Sequence, residues 1–461
     1  MKHIIIFLFV CATGVALAQD NVAWHDVTQW GVEGRAWEDQ ERKRWFDRFP
    51  AKAESRVAGP VWNLSRHSAG MMVRFKSNSN AIHARWKLLS SRLGMPHMPP
   101  SGVSGLDLYA RDDKGKWRWA AATRPNKQEM QAALLTGIAP GMREYAIYLP
   151  LYNGTESLEI GVSKGSRFES LAPRSAKPLV FYGTSITHGA CASRPGMAHP
   201  AILGRRLEMP VINIGFSGNG KMHKEVGDLM VDVDAACYII DCLPNMNAAM
   251  VTERCVPLVN QLRKARPDTS IVLVEDRRFA NSWLVPGRAK FHDDNHAALR
   301  KAYEQLKASG VKHLHYLSGD DLLGDDAEGT TDGSHPNDLG FVRQASVFES
   351  LTGRIDAVDD ERIDLPLNLV IHALVGIKSP FVILALHLAG DGRLLVRGIE
   401  TGNRPCPAFA SNQVLPGRFH VSTQRGDQAK SGNNHTTHAI LRKKTTGPAQ
   451  LEGRACPRPA L

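Results

Sequence analysis

Apolar and polar positions alternate with period two over much of residues 22–162, as at Ile82, Ala84, Trp86 and Leu88 and again at Trp117 and Trp119. Residues 144–149 and 158–162 add two further strand-like segments. Short strands parted by glycine, proline and polar turns predict a β-sandwich over this part of the chain. From about residue 177 to residue 351 the rhythm changes. Apolar runs at 179–182, 210–214, 237–240, 270–275 and 313–316 alternate with helical stretches around Val226, over 256–264 and over 297–307. Unbroken apolar runs of this length read as strands buried on both faces, and strand–helix alternation predicts a doubly wound parallel sheet. Right-handed crossovers then bring the loops after the strands to one edge of that sheet.

The two ends of the chain read differently. Lys2 and His3 precede an apolar stretch, 4–18, that closes on Ala16, Leu17 and Ala18. This is the pattern of a signal peptide cut before Gln19, so export to the periplasm or the medium is expected. Cys11 follows Phe9 and Val10, a poor lipoprotein site, which favours a soluble exported protein. No other segment is long enough to span a bilayer, and no stable membrane insertion is expected. Beyond about Arg354 no clean period persists; 365–389 is apolar enough for one or two strands, divided by Lys378 and Pro380. The expected organisation is a signal peptide at 1–18, a β-sandwich at 19–170, an α/β domain at 177–354 and an extension at 355–461 without assigned structure or function.

With 461 residues, 43% of them hydrophobic, the chain can bury two sizeable cores. A net charge of +11 permits attraction to acidic glycans, yet the basic residues are dispersed among acidic ones and no nucleic-acid motif is present. Of seven cysteines Cys11 leaves with the signal peptide, and the remainder form no CxxC pair or regular framework. Cys237 and Cys242 bracket an apolar run and read as small core hydrophobes, with a disulfide between them left open.

Candidate chemistry begins with GTSITHG at 183–189, where the apolar run 179–182 delivers Ser185 to a tight, glycine-flanked turn. The carboxyl end of a parallel strand is where ligands bind, which suits a nucleophile; a helix-capping serine is the plainer reading. TTDGSHPND at 330–338 supplies Asp332 and His335 three apart. A serine hydrolase needs a base for the hydroxyl proton and a carboxylate that orients the imidazole, and one turn carrying both meets that need. Singly, Asp332 could be an Asx-turn residue and His335 a solvated loop histidine. The glycine-rich GFSGNG after the second run can present the Gly218 N–H to a developing charge, and Asn245, after the third, can offer its amide. Each also reads as an ordinary turn or loop residue.

Taken together, GTSITHGACASRPGMAHPAILGRRL, VINIGFSGNGKM, YIIDCLPNM and EGTTDGSHPNDLG resemble the SGNH hydrolases, the GDSL-like esterases, and more closely the subfamily with an N-terminal GxDLY domain. The GxDLY signature stands at Gly105, Leu106, Asp107, Leu108 and Tyr109. The resemblance covers roughly 21–351. It implies a flavodoxin-like three-layer hydrolase domain behind a jelly-roll-like β-sandwich. It also implies Ser185 as nucleophile, His335 as base and Asp332 as its orienter, with Gly218, Asn245 and the Ser185 N–H as oxyanion donors. Thr184 stands where a GDS motif has aspartate, a position outside the triad.

The expected function is that of an exported serine esterase that removes small acyl groups, with acetyl the expected one, from carbohydrate, without metal or organic cofactor. A lipase, thioesterase or aryl esterase on the same triad, or a glycan-binding protein without turnover, are the alternatives. His97, in the proline-rich MPHMPP segment at 95–100, could line the cleft or sit in a stiff surface loop. Arg194 is read as a substrate contact or an ordinary ion pair. HDDNH at 292–296 has two histidines at i and i+4 but lacks the glutamate of a helical zinc motif, so a capped helix start is expected there. His188 and His199 either touch substrate or fill the wall.

Overall fold

In a computed structural model the described residues are 21–359 together with four short strands further along the chain. The predicted signal peptide therefore lies outside the described residues.

Nine strands form the amino-terminal domain: β1 (Val22–Asp26), β2 (Met72–Ser77), β3 (Ala81–Leu88), β4 (Asp107–Arg111), β5 (Trp117–Ala122), β6 (Glu129–Thr136), β7 (Arg143–Tyr148), β8 (Thr155–Ser163) and β9 (Phe168–Leu171). They make two antiparallel sheets, ordered β1-β8-β3-β6 and β5-β4-β7-β2-β9. Two short helices, α1 (Gly59–Ser65) and α2 (Pro100–Val103), interrupt them. Period-two alternation decides what each face meets. Val73, Phe75, Leu108 and Ile147 share one core with Ile82, Trp86 and Ile160 of the other sheet. The residues beside them, Met72, Tyr109, Ala146 and Tyr148, turn outward and pack with Ala201. That residue belongs to the next domain, so the sandwich uses its second face to dock.

The next domain is a parallel sheet of β10 (Leu179–Gly183), β11 (Val211–Gly215), β12 (Cys237–Asp241), β13 (Ser270–Val274) and β14 (Leu314–Leu317), ordered β11-β10-β12-β13-β14. The five fall where the apolar runs predict. Helices α3 (Ser185–His188), α4 (His199–Arg206), α5 (Lys224–Met230), α6 (Ala248–Ala265), α7 (Pro286–Ala308) and α8 (Asp338–Asp359) connect and cover them. One face of the sheet packs on α5, α6 and α7 through Val226, Leu258 and Leu299; the other packs on α4 and α8 through Leu203 and Phe348. This is a three-layer αβα sandwich. Among the described residues no helix is long and apolar enough to cross a membrane.

Two details depart from the sequence reading. Helix α7 begins at Pro286, eleven residues before the predicted helical stretch, because proline at the first helical position gives up no needed N–H. HDDNH consequently lies inside this helix rather than at its start. No disulfide joins Cys237 and Cys242; the Cys242 thiol meets the Tyr182 carbonyl at 3.5 Å. Farther on, Ile383–Leu388 pairs with Leu394–Ile399 and His420–Ser422 with Ile440–Arg442, both antiparallel. The first of these strands falls within the apolar stretch 365–389.

Candidate active site

Strand register places the site. Gly183 at the end of β10 is level with Gly215 of β11 on one side and Asp241 of β12 on the other. Strand order reverses at β10, and in open α/β sheets ligands bind outside the carboxyl ends at such a point. The segments carrying Ser185, Gly218 and Asn245 all leave from this edge.

Ser185 opens helix α3, and the Thr184 side chain caps it by accepting the Ile186 N–H at 3.3 Å. The threonine in place of aspartate therefore has a local task of its own. A Cβ on Gly183 would come 2.0 Å from Thr187 Oγ1, and one on Gly220 2.0 Å from the Gly183 carbonyl oxygen, so close packing fixes glycine at both. Ser185 itself is only 6% exposed.

Its hydroxyl lies 2.8 Å from His335 Nε2, and His335 Nδ1 lies 2.7 Å from Asp332 Oδ2. The turn that carries this pair is held by its own backbone. Asp332 Oδ1 accepts the N–H groups of Ser334 at 3.0 Å and His335 at 2.8 Å, and the Thr331 N–H donates to the His335 carbonyl. Burial would raise the Asp332 carboxyl, but those N–H groups and the imidazole hold it below the usual carboxylate range. It thus stays ionised at neutral pH and fixes the imidazole with Nδ1 protonated and Nε2 facing the serine. Such a relay can strip the hydroxyl proton as Oγ attacks an acyl carbon.

The Ser185 and Gly218 N–H groups are the backbone donors expected from the sequence. Among the described residues no acceptor takes the N–H of Ser185 or of Gly218. Gly218 has φ +69 and open space where a Cβ would stand. Asn245 ends a short 3-10 turn, and its Oδ1 accepts the Gly220 N–H at 3.3 Å, which leaves the amide Nδ2 as a donor. Replacing Asn245 by alanine is expected to lower kcat for ester hydrolysis about 10²–10³-fold with KM changed little, the usual loss for one oxyanion donor. Steady-state kinetics would check this, and a loss below about threefold would remove Asn245 from the site.

His97 stands over the triad: its ring is stacked 6.1 Å from that of His335, in an open pocket bordered by Pro96, Met98 and Thr331. Of the two readings of Arg194, the structure shows the ion pair. Its guanidinium donates to Asp107 Oδ2 at 2.9 Å and to the Tyr109 hydroxyl. Asp107, fully buried, also accepts the Gly196 N–H at 2.8 Å. The GxDLY residues thus form a socket for the loop that follows α3, and this is what ties Arg194 down. His188 and His199 are both fully buried and belong to the wall.

Sequence reasoning missed Tyr152 and Arg48, both from the β-domain. The Tyr152 hydroxyl donates to the Ser185 carbonyl at 3.2 Å, and its ring stacks on His188 at 4.1 Å. The His188 Nε2–H donates to the Leu151 carbonyl at 2.6 Å, so the two neighbours hold the first and last residues of α3. Arg48, deeply buried, donates to the Asn213 and Gly215 carbonyls at 2.9 and 3.0 Å and braces the strand that leads to Gly218. Burial pushes its guanidinium down to about 9, so it remains charged at neutral pH. No local pattern marks these residues, because their contacts span 33 residues for Tyr152 and 165 for Arg48. Tyr152→Phe is expected to cut kcat roughly tenfold with KM nearly unchanged, one hydrogen bond's worth of positioning. A fall confined to thermal stability would count against that role.

Among the described residues two side-chain groups have the composition of a metal site. One, Cys191 with Asp332 and His335, shares two residues with the Ser185 relay, and burial pushes the Cys191 thiol up to about 11, away from the thiolate a metal needs. Asp276 with His292 and His296 is wholly buried. There the His292 Nε2 accepts the Phe279 N–H at 2.9 Å, which leaves Nδ1–H to donate to Asp276 Oδ2 at 2.7 Å. His296 Nε2 meets Asp276 Oδ1 at 2.6 Å. Both rings already use these atoms to clamp the carboxylate, so the HDDNH pair is a fastening for the loop after β13.

That fastening has a pH signature. Burial would lower His296, but its bonds to Asp276 outweigh burial and raise it above the usual value. Burial would raise Asp276, and the two imidazoles more than reverse that. A raised histidine adds stability that is complete below its unfolded value, about 6.5, and fades as pH rises through its folded value. A depressed aspartate adds stability above about 3.9 that is lost as pH falls through its folded value. Wild type is therefore expected to lose stability from about pH 6.5 upward more steeply than His296→Gln. Parallel unfolding-midpoint curves for the two proteins between pH 5 and 9 would contradict this.

A family model described as a GDSL-like lipase/acylhydrolase family matches residues 176–352, and one described as the N-terminus of Esterase_SGNH_hydro-type matches residues 22–168. No curated protein matches the chain. Among solved structures, one described as a GDSL-like lipase from Bacteroides ovatus is 34% identical, with a TM-score of 0.69; the match covers 73% of this chain and 98% of that one. The salicylyl-acyltransferase SsfX3 from a tetracycline biosynthetic pathway is 18% identical, with a TM-score of 0.56 over 73% of this chain and 97% of that one. An acetyl xylan esterase from the rumen bacterium Butyrivibrio proteoclasticus is 11% identical, with a TM-score of 0.46 over 74% of this chain and all of that one. With its two family models end to end and a relative matched over nearly its whole length, the chain belongs to the GDSL-like lipase/acylhydrolase family and is an SGNH-type esterase.

Proposed function

We propose that the protein is an exported serine esterase that removes small acyl groups, chiefly acetyl, from carbohydrate through an acyl-enzyme on Ser185. The observation that carries the chemistry is the continuous relay from Ser185 Oγ to His335 Nε2 at 2.8 Å and from Nδ1 to Asp332 at 2.7 Å. In this reading His335 takes the serine proton as the Oγ–carbon bond forms. The Ser185 and Gly218 N–H groups and the Asn245 amide hold the negative oxygen. The same imidazole then returns its proton to the departing sugar oxygen as the ester bond breaks. Water, deprotonated by His335, attacks the acyl-serine; as the acyl–Oγ bond breaks, His335 returns the proton to Ser185 Oγ and the acid is released.

Export rests on the apolar segment 4–18 with its Ala16–Leu17–Ala18 ending. The test is acetate release from acetylated xylan, xyloglucan, pectin and sialoglycans, with p-nitrophenyl acetate and butyrate as controls, for wild type and Ser185→Ala. Release from one glycan class that vanishes in the variant is the expected result. Serine-dependent turnover of the nitrophenyl esters alone would leave the esterase and sink the carbohydrate substrate.

A further inference from the structure

On one side of the catalytic turn lies a cleft of about 500 Å³, bordered by Thr330 and walled by Phe279, Trp283, Leu323 and Asp320. The pocket under His97 reaches the same turn at the next residue, Thr331. The cleft is tied to the catalytic turn directly, since the Ala280 N–H donates to the Gly333 carbonyl at 2.8 Å.

Three features of the cleft lack an explanation in the catalytic reading. Trp283 is 80% exposed, and Leu284 beside it 65%, a placement that core packing does not require. Ser282, only 7% exposed, has a buried Oγ without a hydrogen-bond partner. Arg277, 4% exposed, has its Nε likewise unpartnered, although its other nitrogens grip Asp241. Both residues line the cleft. Buried polar groups are nearly always satisfied, and an unmet one costs free energy until a ligand supplies the partner.

We infer that this cleft is a subsite for an uncharged pyranose unit of the substrate glycan, stacked on Trp283, with the Ser282 hydroxyl turning out of its buried position to meet a sugar oxygen. The inference rests on the carbohydrate reading above and extends it to a particular place and sugar class. An indole face offers the C–H side of a sugar ring a flat apolar platform, while inward polar atoms select for hydroxyls. A fatty acyl chain would fill the volume but leave the Ser282 hydroxyl unmet. A uronate would face Asp320, Asp325 and Asp326 around the cleft, where the cations are already committed: Arg278 to Asp293 and Asp320, and Arg277 to Asp241.

The experiment is calorimetric binding of xylohexaose, cellohexaose, mannohexaose and hexagalacturonate to full-length Ser185→Ala, and to the same protein carrying Trp283→Ala or Ser282→Ala. At least one neutral hexasaccharide is expected to bind, about tenfold or more weaker without Trp283, as for a truncated aromatic anchor. Ser282→Ala is expected to weaken it roughly threefold. Trp283 is largely exposed, so an unchanged unfolding midpoint should accompany its loss. No binding of any neutral sugar, binding indifferent to Trp283, or preference for the galacturonate would each overturn the inference. The acetate-release assay on wild type is read separately. Sugar binding with no serine-dependent acetate release sinks the deacylase and leaves the subsite, and the converse sinks the subsite alone.

Discussion

His335→Ala is expected to lower kcat for any ester the enzyme turns over by about 10⁴–10⁶-fold while leaving the protein folded. The size follows from the relay. Without the imidazole 2.8 Å from Ser185 Oγ, the hydroxyl has no base, and the leaving oxygen has no acid. What survives is binding and the oxyanion donors, worth roughly 10³–10⁴ over water in comparable sites. The fold should hold because the turn is fastened by backbone bonds that alanine keeps, including Thr331 N–H to the residue 335 carbonyl and the residue 335 N–H to Asp332 Oδ1. Asp332→Asn is the finer probe, since an amide oxygen can still accept those N–H groups while the charge is gone; a loss of about 10³–10⁴ is expected. Kinetics on p-nitrophenyl acetate with matched circular dichroism spectra decide the matter. A His335→Ala enzyme within tenfold of wild type would mean that another group takes the proton.

Asp241→Ala is expected to destabilise the domain by about 3–5 kcal/mol, the cost of stranding a buried charge. Asp241 ends β12, level with Gly183, and its carboxylate takes both Nη atoms of Arg277 at 3.0 Å, with side chains 0% and 1% exposed. It also accepts the Thr187 hydroxyl at 3.2 Å, which anchors α3. Removing the carboxylate therefore loosens α3 as well as leaving the guanidinium unpaired. The double variant Asp241→Leu with Arg277→Met should recover most of the stability, because an apolar pair of similar volume avoids the desolvation cost. It should not recover full activity, since Thr187 remains without its acceptor. Urea unfolding of the two variants measures the first claim; a single variant within about 1 kcal/mol of wild type would refute it.

How far the sequence reveals this molecule depends on whether the cause is local. The five strands of the parallel sheet are legible because burial on both faces demands unbroken apolar runs such as 237–240 and 270–275. Ser185, Asp332 and His335 are legible because each sits in a turn whose glycines and short polar residues are themselves a signal. The β-domain is harder to read. Strand β6 alternates exposed and half-buried residues with none fully buried, so its short run at 132–135 carries no burial to mark it, and β9 is four residues of which none is buried. Tyr152 and Arg48 are invisible for a different reason: their partners lie in another domain, and nothing beside them announces it. Arg194 shows the same limit from the other direction. An arginine next to a nucleophile suggests a ligand until Asp107 is seen to hold it.

The socket built by the GxDLY residues also bears on any attempt to shorten or recombine this enzyme. Asp107 and Tyr109 hold Arg194 and Gly196, Arg48 is threaded beneath the strand leading to Gly218, and Tyr152 sits under Ser185. A cut made at the visible seam between sandwich and hydrolase would open three wounds in the catalytic half. The practical module is thus the pair, and a chimera that exchanges the sandwich must carry over matching sequence in the 190s loop, as a key travels with its lock.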